Sequence, residues 1–336
     1  MRLLRFSEAL DRLHQHKRCH LLLGNGFSIA CRHDIFSYDA LLDRAEFGSP
    51  DALARAVFDV LETRDFEEVM NALRNAAKLV RHVSPENQGL ADMLMHTVED
   101  LREVLVHTIS DHHPDMPSDI AVNAYAACRR FLSSFDTVYS LNYDLLLYWA
   151  LMQDEIPPSV PHDDGFRQPD EPDTPYVTWE VEQSDSQNVF YLHGALHLFD
   201  AGAELQKYTW SRTGVRLIDQ VRQALEQSLY PLLVAEGTSR QKKAKIMHSN
   251  YLSRGYRSLP HVTGGLLIFG HSLAENDEHI LRLIERGRAA YIVVGIYGDK
   301  DSPTNRRIKE RALRFAAARR GRVVEFFDAA DAHVWG

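Results

Sequence analysis

Three strand-end signatures, met in a fixed order, constrain this chain most: LLLGNGFS at Leu21 to Ser28, YSLNYD at Tyr139 to Asp144, and VFYLHGA at Val189 to Ala195. Each follows an apolar, strand-like run. Together they set a glycine turn, an Asn-x-Asp pair and a histidine at the carboxyl ends of strands, where open α/β sheets bind ligands. That placement points to a nucleotide.

The rest of the chain fits such a sheet. After the first strand, apolar residues from Tyr38 to about Ser134 recur at intervals of three and four, which predicts a helical insertion over 38–134. Thr137 to Leu141 reads as a second strand leading into an amphipathic segment that ends near Met152, and a third strand runs to Leu192. Later strands are expected at Pro231 to Gly237, up to Phe269, at Tyr291 to Ile296 and at Val323 to Phe327, with helices near Val215 to Ser228, toward Leu252, and at about 277–286 and 305–319. This alternation predicts a Rossmann-like, doubly wound, mostly parallel α/β sheet carrying a helical insertion. At 336 residues and 45% apolar content the chain can bury a full core, and residues 1–336 are read as a single unit.

One stretch breaks the pattern. Residues 154–188 hold six of the thirteen prolines and ten acidic residues against one basic residue, Arg167, and are expected to form a lid, a loop or a partner contact without regular elements. Three cysteines, Cys19, Cys31 and Cys128, give neither a disulfide framework nor a C-x-x-C metal pair, which suits a reducing, cytoplasmic setting. The amino terminus spaces Leu3, Phe6, Leu10 and Leu13 as an amphipathic helix rather than a signal peptide, and no run reaches the ~18 apolar residues of a membrane span.

The net charge of −9 is unevenly distributed. Between Arg240 and Arg322 stand 18 Lys/Arg and 7 Asp/Glu, so this region carries +11 and the remainder −20. Its run of Arg240, Lys242, Lys243 and Lys245 either approaches ligand phosphates or an acidic subunit, or lies on a solvated helix face.

The candidate site residues follow from position. Gly24 and Gly26 let backbone amides approach a pyrophosphate, with Ser28 adding a hydroxyl, although glycines also simply close strand-to-helix turns. Asn142 and Asp144 can hold a carboxamide and a water, or cap a helix. His193, emerging at the rim, is suited to take a proton from a ribose hydroxyl or a water near neutral pH. Gly270, His271 and Ser272 end a further strand; Asp277 reads as an N-cap, while Ser272 and Asn276 can meet a ribose or phosphate. His193 and His197 have metal-ligand spacing only if helical, and Asp111-His112-His113 with Asp115 is a similarly weak metal pattern, so no metal is expected.

In this order the segments Gly24-Asn25-Gly26-Phe27-Ser28, Thr137 to Asp144, His193-Gly194, Pro231 to Gly237 and Gly270-His271-Ser272 resemble the sirtuin-like, silent-information-regulator type of NAD-binding family. The G-I-P-D-F-R segment and the four zinc cysteines of deacylating members are replaced by CRHDIFSYDALL and a cysteine-free stretch, so the resemblance is to the zinc-free branch rich in bacterial immune effectors. It implies an NAD glycohydrolase that releases nicotinamide and ADP-ribose, with NAD as substrate and no metal, depleting NAD in antiphage defence. On this reading Asn142 orients ribose or water, Asp144 holds the carboxamide, His193 is the base, and Gly24, Asn25, Gly26, Phe27, Ser28, Gly270, Ser272 and Asn276 hold the dinucleotide. A homo-oligomer and a separately encoded sensor or ATPase are the implied partners, with no membrane and no directly bound nucleic acid. A non-catalytic NAD or ADP-ribose sensor, a protein deacylase and a metal-dependent hydrolase are the alternatives.

Overall fold

The continuous apolar runs Leu21–Leu23, Leu266–Ile268 and Ile292–Val294 are fully buried, as strands covered by helices on both faces require. Each such leucine or isoleucine contributes about 1.5–3 kcal/mol by leaving water. The computed structural model describes residues 2–47, 51–169, 174–202, 204–209, 213–235 and 237–336. Among them the strands are, in chain order, β1 (Cys19–Leu23), β2 (Thr137–Ser140), β3 (Phe166–Arg167), β4 (Tyr176–Trp179), β5 (Val189–Tyr191), β6 (Leu198–Asp200), β7 (Leu205–Tyr208), β8 (Thr263–Phe269), β9 (Arg288–Ile296) and β10 (Val323–Asp328).

Six of these form one sheet in the order β10-β9-β8-β1-β2-β5, and every pairing in it is parallel. Numbered along the chain and read from the β5 edge, that order is 3-2-1-4-5-6, the doubly wound Rossmann arrangement. The strand order reverses between β1 and β8, whose ends are in register at Leu23 and Phe269. Ligand crevices form at the carboxyl ends around such a reversal. The fold is therefore Rossmann-like α/β.

Between β1 and β2, after the short helices Gly26–Cys31 and His33–Phe36, run the helices Tyr38–Arg44, Asp51–Val60, Phe66–Val83, Gln88–His112 and Val122–Leu132. Asp65 caps Phe66–Val83 by accepting from the Glu67 amide at 2.8 Å, which starts the helix where Glu67 faces the sheet's rim. No helix among the described residues is long and apolar enough to cross a membrane.

Three local expectations are corrected. Residues 154–188 do contain regular structure: β3 and β4 join β7 and β6 in an antiparallel sheet of order β3-β4-β7-β6. Asp163 organises this segment, accepting from Arg167 at 2.6 Å and from the Gly165 amide at 2.8 Å, and from Ser186 as well. Acidity and prolines obscured the alternating Tyr176-Val177-Thr178-Trp179; residues 170–173 lie outside the described residues. The segment expected as a strand at Pro231 to Gly237 is not one over its described residues 231–235, residue 236 lying outside the described residues. Leu232 and Val234 donate their amides to the carbonyls of Leu198 (2.7 Å) and His193 (2.9 Å), so the segment closes over the turn after β5 instead of joining the parallel sheet. Finally, Leu146–Leu151 is buried on all sides, not amphipathic, and the fully buried Arg129 binds the carbonyls of Ala150 (2.9 Å) and Leu151 (3.0 Å) at its end.

Candidate functional site

The glycine turn after β1 is closed by backbone packing. Gly24 and Gly26 donate their amides to the carbonyls of Phe269 (2.9 Å) and Gly270 (2.8 Å), and those of Phe27 and Ser28 go to Gly24 and Asn25. A Cβ on Gly24 would lie 2.7 Å from the Gly270 carbonyl oxygen, and one on Gly26 would lie 2.5 Å from the Gly270 Cα. The glycines are there because two strand ends touch. Gly270 itself, at φ +67°, is held in the left-handed region against Gly26. Phe27 is fully buried and packs on Trp335, while the Asn25 amide nitrogen binds the Phe36 carbonyl. The amides of Gly24, Gly26, Phe27 and Ser28 are thus engaged inside the fold.

The second signature turns inward too. Ser28 Oγ donates to Asp144 Oδ2 at 2.5 Å and accepts from Asn142 Nδ2 at 3.0 Å, while Asp144 Oδ1 accepts from the Leu146 amide at 2.9 Å. Both Asp144 oxygens are engaged in a buried setting, and burial lifts its pKa against those hydrogen bonds. Asp144 therefore ties the turn to Ser28 and to the start of the following helix. Asn142 keeps one unspent group, its buried Oδ1. His113 completes the support. Its Nε2 accepts from the Leu145 amide at 3.1 Å and burial lowers its pKa to about 4, while the neighbouring His112 Nδ1 lies 3.0 Å from the Thr108 carbonyl in its own helix.

Tyr143, between the two, reaches the other way. Its hydroxyl donates to Glu67 Oε1 at 2.9 Å, and its ring stacks 6.4 Å from that of His193. There the carboxyl ends of the strands meet a cluster of buried charges. Lys242, with no side-chain exposure, lies 2.5 Å from Glu67 Oε2 and 3.1 Å from Asp277 Oδ1. Asn276 Nδ2 donates to the same Glu67 oxygen at 2.6 Å. His271 accepts from the Leu273 amide on Nδ1 at 2.8 Å, which puts its proton on Nε2, facing Asp277 Oδ2 at 3.1 Å. His193 Nε2 lies 3.1 Å from His279 Nε2 and 3.8 Å from Asp277 Oδ1. At that distance one of the two facing nitrogens donates to the other.

The electrostatics follow from burial and pairing. Burial pushes His193 well below the ordinary histidine pKa and His279 to about 4, so both are neutral at pH 7. Burial would raise Asp277, but Lys242 and His271 hold its carboxyl well below the usual range. Glu67 is lifted by burial to about 7 with Lys242 pulling against it, and Lys242 stays charged because the two carboxylates outweigh its own burial. One ligand atom each from His193, Asp277 and His279 lie within 4.8 Å of one another, a geometry three metal ligands can have, although the Lys242 ammonium occupies one side of Asp277. His197 is elsewhere, fully buried between the rings of Tyr148 (4.8 Å) and Tyr191 (5.3 Å).

Outside the cluster lies a cleft of about 770 Å³ whose lining includes Asn276 and His279. Ser272 remains exposed and is not part of that lining.

A family model described as a domain of unknown function, DUF4917, matches residues 21–335. The chain belongs to the DUF4917 family. No curated protein matches it.

In this DUF4917 protein the structure brings His193 and Asn276 into one cluster, and leaves Gly24, Asn25, Gly26, Phe27, Ser28, Asn142, Asp144 and Gly270 in the packed turns beside it. Sequence reasoning missed Glu67, Tyr143, Lys242 and His279, and gave Asp277 only a capping role. Lys242 had one signal: it stands four residues before the fully buried Ile246, on the same helix face, and so cannot share the solvent-facing side of its basic run.

Proposed function

We propose that this DUF4917 protein hydrolyses the nicotinamide–ribose bond of NAD. The observation that carries the reading is a neutral, buried imidazole pair, His193 and His279, held against the ionised Asp277 at the carboxyl rim of a 3-2-1-4-5-6 parallel sheet. The departing nicotinamide ring is already cationic, so its loss needs little acid assistance. The C1′–N bond breaks with its electron pair going to nicotinamide, which becomes neutral, while water forms the new C1′–O bond and gives its proton to the imidazole pair. The carboxylate of Asp277 favours the oxocarbenium-like positive charge that develops on the ribose. Tyr143, Glu67 and Lys242 act as positioning residues that fix Asp277 and Asn276. The sirtuin-like resemblance adds the cellular role, NAD depletion in antiviral defence, with assembly or a separately encoded partner as trigger.

A second reading, metal-assisted hydrolysis, is favoured by the convergence of His193, Asp277 and His279. In it these residues hold a divalent cation and Lys242 must swing off Asp277. Chromatography of nicotinamide release from NAD, with and without a chelator, tests both. Unchanged release in chelator supports the imidazole pair, loss restored by a divalent cation supports the metal, and no release under either condition, nor with the cation added, refutes both.

A further inference from the structure

Among the helices that line the cleft beside the imidazole pair are Ser239–His248, Glu278–Arg286 and Pro303–Ala318. They contribute six cations to its lining, Arg240, Lys243, Arg282, Arg286, Arg311 and Arg314, against the two carboxylates of Glu275 and Glu278. Those acids are already engaged: Glu278 with Arg282 at 3.2 Å and Glu275 with Arg311 at 2.6 Å. Arg240, Arg286 and Arg314 have no carboxylate within ion-pair distance among the described residues. Asn71 Oδ1 and Asn276 Oδ1, on two lining residues, are buried without hydrogen-bond partners. A concentration of unneutralised guanidinium groups over polar atoms with unused hydrogen-bonding capacity is what an anionic small molecule completes.

We infer that this cleft binds the diphosphate of a nucleotide ligand, delivering the sugar beyond it to His279 and His193. The inference rests on the proposed reaction for the identity of that sugar, and it moves the phosphate site from the glycine turn, where the amides of Gly24, Gly26, Phe27 and Ser28 are engaged, to the helices on either side of β8. A diphosphate spreads charge over several oxygens and can engage guanidinium groups from more than one helix, which a single carboxylate cannot. The volume, about 770 Å³, lies in the range of small-molecule sites rather than that of a groove for an extended polyanion.

Calorimetric titration tests this with inorganic pyrophosphate, ADP-ribose and a short single-stranded oligonucleotide. The proteins are the wild type, the triple variant Arg240→Gln, Arg286→Gln, Arg314→Gln, and a control triple variant at Arg288, Arg307 and Arg320, exposed arginines outside the cleft lining. Circular dichroism confirms the fold of each. Pyrophosphate and ADP-ribose should bind the wild type and the control alike, and the cleft variant roughly tenfold or more weakly, as loss of charge-assisted contacts implies. Equal affinity in the cleft and control variants, no binding of either ligand to the wild type, or tighter binding of the oligonucleotide than of ADP-ribose would overturn the assignment. The reaction is judged separately. If ADP-ribose binding depends on the cleft but NAD is not cleaved, the cleft stands and the hydrolysis falls; if NAD is cleaved with an unchanged KM in the cleft variant, the reverse holds.

Discussion

His193 and His279 differ from a solvent-exposed histidine base in one measurable respect. An ordinary imidazole protonates near pH 6.5, whereas burial lowers His279 to about 4 and His193 well below its usual value. The base is the neutral form, so it persists as pH falls until these lowered pKa values are reached. The acid limb of kcat/KM for nicotinamide release should accordingly lie below pH 6; a limb near 6.5 would mean that an exposed histidine does the work. The glycines make a different prediction. At Gly24 and Gly26 an added Cβ meets backbone, which cannot turn aside as a side chain can, so Gly24→Ala and Gly26→Ala should each lower stability by about 1–3 kcal/mol in urea unfolding. Were they neutral to stability and damaging only to ligand binding, the turn would be a phosphate cradle after all.

At the scale of elements, the helix Ser239–His248 shows why part of the site was illegible. Its basic run has the composition of a solvated face, and only the helical period separates Lys242, turned inward beside Ile246, from the exposed Lys243. Glu67 was hidden for a related reason: a glutamate in the first turn of a helix is ordinarily explained by the helix dipole. What decides its role is the tertiary approach of Tyr143, Asn276 and Lys242 from distant segments, which no local pattern encodes. The strand ends, by contrast, were legible because apolar runs and glycine turns are local, and His193 and Asn276, which follow two of them, lie in the buried cluster. Removing Lys242 leaves Glu67 and Asp277 buried without their cation, so Lys242→Met should cost about 3–5 kcal/mol. Lys243→Met, on the exposed face, should stay within about 0.5 kcal/mol. Equal effects in thermal or urea unfolding would contradict the inward orientation of Lys242.

Across the whole molecule, burial of histidine sets the pH response of stability. His20, His113, His193, His197 and His279 all have pKa values lowered chiefly by burial. Once unfolded they take up protons near pH 6.5, while in the fold they resist to lower pH, so the unfolded state binds more protons and stability falls as pH drops from about 6.5 toward 4. The raised carboxyls of Asp65, Glu67 and Asp144 act in the opposite sense: their contribution is present below their unfolded pKa values and is lost as pH rises through the folded ones, near 7 for Glu67. Five histidines against three carboxyls leave a net loss on acidification, visible as a lower urea midpoint at pH 5 than at pH 7.5. The parallel, doubly wound class of the main sheet was readable at this scale because each helix-strand alternation is local, but the second, antiparallel sheet was not, since β3 and β4 lie in an acidic, proline-rich segment whose order depends on Asp163 and on the pairing of β4 with β7.

The most direct test of the central claim is the rate of nicotinamide release from NAD by the wild type and by His193→Ala, each shown to be folded and each assayed under conditions that give the wild type its full activity. Hydrolysis by the imidazole pair requires release by the wild type and a reduction of roughly a hundredfold or more in the variant, the usual cost of a positioned acid/base. A folded His193→Ala protein that releases nicotinamide at the wild-type rate would contradict it.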